Sequence, residues 1–143
     1  MIQFKSRREY VLIACIICGL YFIGWSIFIT KLHSIKLTTL WTVYAMTLTS
    51  LLAFLFWPKN NEPTHSRMLY LGIVIPALVL FIVGITFETI YPGWPDSMES
   101  SEPRYLIDIV GNGIIFLFYF SYITALTPYI LGVFISMKFV SYR

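Results

Sequence analysis

Four stretches of the chain contain no Asp, Glu, Lys or Arg: 10–30, 37–58, 68–87 and 109–137, which are 21, 22, 20 and 29 residues long. A helix rising about 1.5 Å per residue needs roughly 20 apolar residues to cross a hydrocarbon core of about 30 Å, so each stretch is long enough to span. Core helices of a soluble all-α protein show a polar face at the helical period, whereas these stretches are apolar nearly all round. The pattern predicts an all-α polytopic membrane protein: a bundle of four transmembrane helices over 10–30, 37–57, 68–88 and 109–137 within a single domain, 1–143. Lys5, Arg7 and Arg8 before the first stretch would also suit a signal peptide. That stretch is too long for a signal-peptide core and no small-residue cleavage site ends it, so it is read as a retained span.

Composition agrees. The chain is 58% hydrophobic and 12% charged, with a mean hydropathy of +0.78, far from the roughly 25% charged residues of a soluble domain. The few charges are unevenly divided. Lys5, Arg7, Arg8, Lys59, Arg67, Lys138 and Arg143 fall on one side of the expected membrane, while Lys31, Lys36 and Arg104 fall on the other with Asp96, Glu99 and Glu102. The positive-inside rule then puts both termini in the cytoplasm, and the simple topology suits a bacterial cytoplasmic (inner) membrane. Aromatic residues follow the same division: Trp41, Tyr91, Trp94 and Tyr105 mark the outer ends of the spans, and Tyr10, Trp57, Tyr70 and Tyr142 the inner ends. The segment YPGWPDSMESSEPRYLID, 91–108, thus belongs to an external loop over 89–107, where Pro92, Pro95 and Pro103 oppose helix and favour turns.

Catalytic chemistry is hard to find along this chain. Cys15 and Cys18 have the spacing of a redox dithiol, and quinone-coupled disulfide-forming enzymes are also small four-helix membrane proteins. Those enzymes need a second cysteine pair, and this chain has only these two cysteines, flanked by apolar neighbours that oppose thiolate formation. His33 and His65 fall on opposite sides of the expected membrane and cannot share an ion. No zinc cluster, Gly-rich phosphate loop or Ser/His/Asp set is present. The expectation is a non-enzyme with no catalytic residue, no metal, no cofactor and no nucleic-acid partner.

What remains is a set of polar residues inside or beside the apolar stretches. Asp108, Asn112, Tyr119, Tyr122 and Tyr129 recur at spacings of four, seven, three and seven. On one continuous helix they share an arc of about 100°, so they are expected to face other protein, with Thr42, Tyr44, Thr47, Thr49 and Ser50 of the second span as possible partners. Small residues at Ala45, Thr49 and Ala53, and at Gly132 and Ser136, permit close helix approach. Pro76 and Pro128 are expected to kink the third and fourth spans. Glu88, Arg104 and Asp108 form a second candidate, an ion-pair cluster at the outer boundary, because a carboxylate there needs a partner or water.

These features favour a protein that acts by contact with another membrane protein, either as an accessory subunit or as a protective factor. In size, span number and basic cytoplasmic ends the chain resembles small immunity proteins against pore-forming colicins, which intercept toxin helices within the inner membrane. That resemblance implies the polar stripe and the external loop as recognition surfaces and a toxin as partner. The competing expectation is a small transporter or channel subunit using the polar stripe. Proton-coupled small multidrug transporters have a similar size but rely on a Glu embedded in the first span, which has no acid beyond Glu9 here.

Overall fold

The computed structural model describes residues 7–30, 35–57, 64–90, 106–124 and 126–139. Among them the chain is all-helical: α1 (Arg7–Thr30), α2 (Ile35–Phe56), α3 (His65–Ile90), α4 (Leu106–Ile123) and α5 (Thr127–Met137). Four of these, α1 to α4, are long and apolar enough to cross a membrane, and α5 is a shorter apolar helix of 11 residues. The run 109–137, expected as one span, is therefore two helices separated at Thr124–Leu126. The expected loop over 89–107 lies almost entirely outside the described residues.

α1 packs on α2, α2 on α3, α3 on both α4 and α5, and α5 returns to α1. α3 is the central element, with 44% of its apolar window buried against 11% for α4, which rests on α3 at the margin. The core follows this order: Met68, Leu71, Ile75, Val79, Leu80 and Val83 of α3 meet Ala45 and Ala53 of α2, Phe22 of α1 and Ile135 of α5. The α1–α2 interface uses the small-residue row of α2, since Ala45, Thr49 and Ala53 are all buried.

Two pairs of glycines set the approach of α3 to its neighbours. A Cβ on Gly84 would lie 2.6 Å from Phe116 Cβ and 3.2 Å from Gly113 Cα, so α4 crosses α3 with Gly84 set against Gly113 and the base of the Phe116 side chain. A Cβ on Gly72 would lie 2.6 Å from Val133 Cα, which puts the backbone of α5 directly against α3. The Gly111–Gly113 segment, weak in helix propensity, is nevertheless inside α4, because this contact repays the propensity lost.

At one end of the molecule three chain segments meet. Tyr10, near the start of α1, packs on Trp57 after α2 and Phe139 after α5, at ring separations of 5.2 and 5.1 Å. Trp57 and Phe139 close the triangle at 6.2 Å. Arg7 covers the ring of Phe54 and donates to that residue's carbonyl oxygen, a cation at the C-terminal turn of α2 where the helix dipole favours it.

Candidate functional site

The interruption between α4 and α5 organises the polar groups of the interior. Pro128 lacks an N–H, and in a continuous helix its ring would collide with the carbonyl of Thr124. The chain avoids this by turning at Leu126, the one described non-glycine residue with positive φ (59°), before α5 restarts. Several backbone groups of the described residues near the turn find partners. The Leu126 N–H donates to Ser121 O at 2.8 Å, the Thr127 N–H to Thr124 O at 3.0 Å, and the Tyr129 N–H to Leu126 O at 3.0 Å. Side-chain hydroxyls add three more bonds: Ser121 to Leu117 O at 2.6 Å, Thr124 to Phe120 O at 2.6 Å, and Thr127 to Thr124 O. Ser and Thr compete well for backbone carbonyls in this way, and a run of them stabilises an irregular turn.

From this turn hydrogen bonds reach the neighbouring helices. The Tyr21 hydroxyl of α1 donates to Thr124 Oγ1 at 3.1 Å, and Tyr129 Oη lies 2.7 Å from Ser121 Oγ. Nearer the aromatic end, Tyr10 Oη lies 3.1 Å from Ser136 Oγ, both buried. On the other side of α1, Thr49 Oγ1 of α2 contacts Cys18 Sγ at 3.1 Å while donating to Ala45 O at 2.8 Å. Tyr44 Oη and Thr86 Oγ1 join α2 to α3 at 2.7 Å. Such bonds average about 0.6 kcal/mol in a membrane, so their effect lies more in register than in stability.

The expected stripe is divided by the same turn. Asp108, Asn112, Tyr119 and Tyr122 share a face of α4, but Tyr129 belongs to α5 and turns inward to Ser121. The α4 face points away from the other helices: Tyr122 is 86% exposed, Tyr119 50%, and Asp108 is exposed in the first helical turn. α2 is not a packing neighbour of α4; Tyr44 bonds to α3, Thr49 contacts α1, and Thr47 and Ser50 bond within α2, while the buried Thr42 hydroxyl has no hydrogen-bond partner among the described residues. Neither the Tyr119 nor the Tyr122 hydroxyl has a hydrogen-bond partner among the described residues. Of the outer trio, Arg104 lies outside the described residues, as does the side chain of Glu88; Asp108 is placed at the α4 N-terminus, where its charge suits the helix dipole.

Sequence reasoning took Tyr10 only as a marker of the inner interface and passed over Tyr21, Ser121 and Thr124; all four carry inward bonds. Their signal was a hydroxyl inside an apolar run, and for Ser121 and Thr124 a small one, which fits at a helix crossing where a tyrosine does not. Cys15 and Cys18 are free thiols, His65 is exposed at the start of α3, and His33 lies outside the described residues. Among the described residues no three of His, Cys, Asp and Glu converge as metal ligands. The groups that do converge are hydroxyls bonded to one another and to carbonyls, an arrangement suited to fixing helices. Comparison with known proteins finds no matching family model, no matching curated protein and no matching solved structure.

Proposed function

We propose that this is an integral membrane protein, a four-span bundle with both termini in the bacterial cytoplasm, that acts by docking α4 against a helix of another membrane protein. The observation that carries the reading is the outward pair Tyr119 and Tyr122. At about 1.5 Å per residue they lie about 20 and 24 Å along the axis from Leu106, and α5 continues the run beyond them to Met137, so both fall between the ends of the span and not at either headgroup level. Tyrosine prefers the headgroup level, and a hydroxyl facing lipid at depth is costly. Ile115 and Phe118 flank the pair on the same exposed face. Nearer the outer end Gly111 has nothing within 4 Å of where a Cβ would be, which leaves room for a second helix to approach. A partner helix offering Ser, Thr or carbonyl acceptors would satisfy both hydroxyls.

The excess of Lys and Arg on one side, seven against three, supports the orientation. The meeting of Tyr10, Trp57 and Phe139 supports it too, because it brings the start of α1 and the end of α5 to one end. Two partners fit: a larger complex of which this chain is an accessory subunit, and the membrane helices of a pore-forming toxin that it blocks as an immunity-type factor. A photoreactive amino acid at Tyr122 tests the reading in intact cells, with Leu12, exposed on α1, as control. A discrete protein adduct at Tyr122 and not at Leu12 is expected. Equal, diffuse adducts at both positions would remove the proposal. Survival of toxin-treated cells that express the chain separates the protective role from the accessory one.

The break at Thr124–Leu126 favours a second reading, a small transporter or channel subunit, since discontinuous spans occur where substrates pass. Ion or solute flux through proteoliposomes containing the purified chain, absent from empty liposomes, would support it over docking.

A further inference from the structure

The four helices α1, α2, α3 and α5 pack in a closed ring, in which α1 and α3 face each other without close backbone packing. Small residues, Ala14 and Cys18 from α1, Gly72 and Pro76 from α3 and Gly132 from α5, alternate here with larger apolar ones and leave a partly open cavity of about 70 Å³. We propose that this cavity is a binding site for an unbranched alkyl chain, the tail of a membrane lipid or fatty acid.

The wall determines the chemistry. No charged residue lines the cavity. Its polar side chains are already engaged: Tyr10 with Ser136, Tyr21 with Thr124, and Thr49 with Cys18 and the Ala45 carbonyl. A water in such a space would lack the two to four polar partners it requires, and a polar ligand would find no free donor or acceptor. Size narrows the choice further. An apolar cavity of about 150 Å³ binds benzene, so one of about 70 Å³ suits the narrow end of an alkyl chain better than a ring. Access follows from the broken span. In the half of the molecule containing α5 the ring is closed by the α1–α5 contact. In the half containing α4 it is not, because α4 packs on α3 and is not a packing neighbour of α1. In this proposal the mouth of the cavity is on this side, next to the Tyr21–Thr124 bond, where the alkyl chains of a bilayer would meet it.

The purified full-length chain in nanodiscs, labelled with a palmitoyl probe bearing a terminal diazirine, tests this. The probe is supplied in one arm as the free acid and in the other as a phosphatidylcholine. Adducts concentrated on Cys18, Pro76 and Leu131 are expected, saturable by unlabelled palmitate or by the corresponding phosphatidylcholine. Labelling at exposed Leu12 and Leu20 should not saturate. Ala14→Leu, which fills the cavity, should lower the cavity adducts at least five-fold and leave those at Leu20 unchanged. The arm that labels identifies whether the chain belongs to a phospholipid or a free acid. Cavity labelling that does not exceed Leu20, or does not saturate in the unmodified protein, overturns the proposal whether or not Ala14→Leu folds.

Discussion

Pro76 and Pro128 sit in equally apolar surroundings, yet α3 runs unbroken through the first while the chain divides before the second. Each proline deprives the carbonyl four residues earlier of its helical donor. For Pro76 that carbonyl belongs to Gly72, and a Cβ built on Gly132 would collide with its oxygen. The same direction is occupied by a Gly132 Cα–H, so the orphaned oxygen receives a weak hydrogen bond from α5, worth about 0.5–1 kcal/mol. For Pro128 the carbonyl belongs to Thr124 and is taken by the N–H and hydroxyl of Thr127. A proline is thus absorbed where a neighbouring helix can come close, and ends a helix where nearby hydroxyls offer another way to satisfy the backbone.

The largest effect that could break this comparison is expected from Gly132→Val. Its side chain would meet the Gly72 carbonyl and force α5 from α3, with a loss of about 1–3 kcal/mol in unfolding by SDS in mixed micelles. A neutral result would mean that the two glycines do not hold the helices together. Next comes Leu126→Gly. A leucine with positive φ is strained, so glycine there should stabilise the protein by about 1 kcal/mol in the same assay. If the fourth run were a continuous helix, glycine would destabilise it by about that amount, so the sign alone decides.

These contrasts also explain how much could be read from the sequence. The apolar stretches were legible because hydrocarbon excludes charge, and four helices of spanning length and composition are present near the expected places. The division of 109–137 was not, because Pro76 and Pro128 have similar apolar surroundings and only Gly132 facing Gly72 separates their outcomes. The candidate stripe assumed one helical phase from Asp108 to Tyr129. The turn at Leu126 resets that phase, leaving Tyr119 and Tyr122 outside and bringing Tyr129 in. Small Ser121 and Thr124 occupy the interior positions for which tyrosines are too large.

Two smaller effects sharpen the picture of the turn. A double-mutant cycle of Tyr21→Phe with Thr124→Val should return a coupling of about 0.6 kcal/mol, and zero coupling would deny that α1 bonds to the interruption. Tyr122→Phe should change unfolding by less than about 0.5 kcal/mol, since the ring is exposed, yet weaken photocrosslinking of the partner from neighbouring positions. Loss of stability without loss of crosslinking would place the hydroxyl inside the fold and not at an interface.

The bond between Tyr10 and Ser136 spans 126 residues of sequence, and the Tyr10 ring is also held by Trp57 and Phe139. Contacts so distant along the chain form late, after the intervening helices have been made and inserted. Without α5 in place, the Tyr10 hydroxyl lacks its Ser136 partner and its ring lacks the Phe139 contact. The far-apart segments that meet at Tyr10 thus make the packing of α5 the step that completes this end of the bundle.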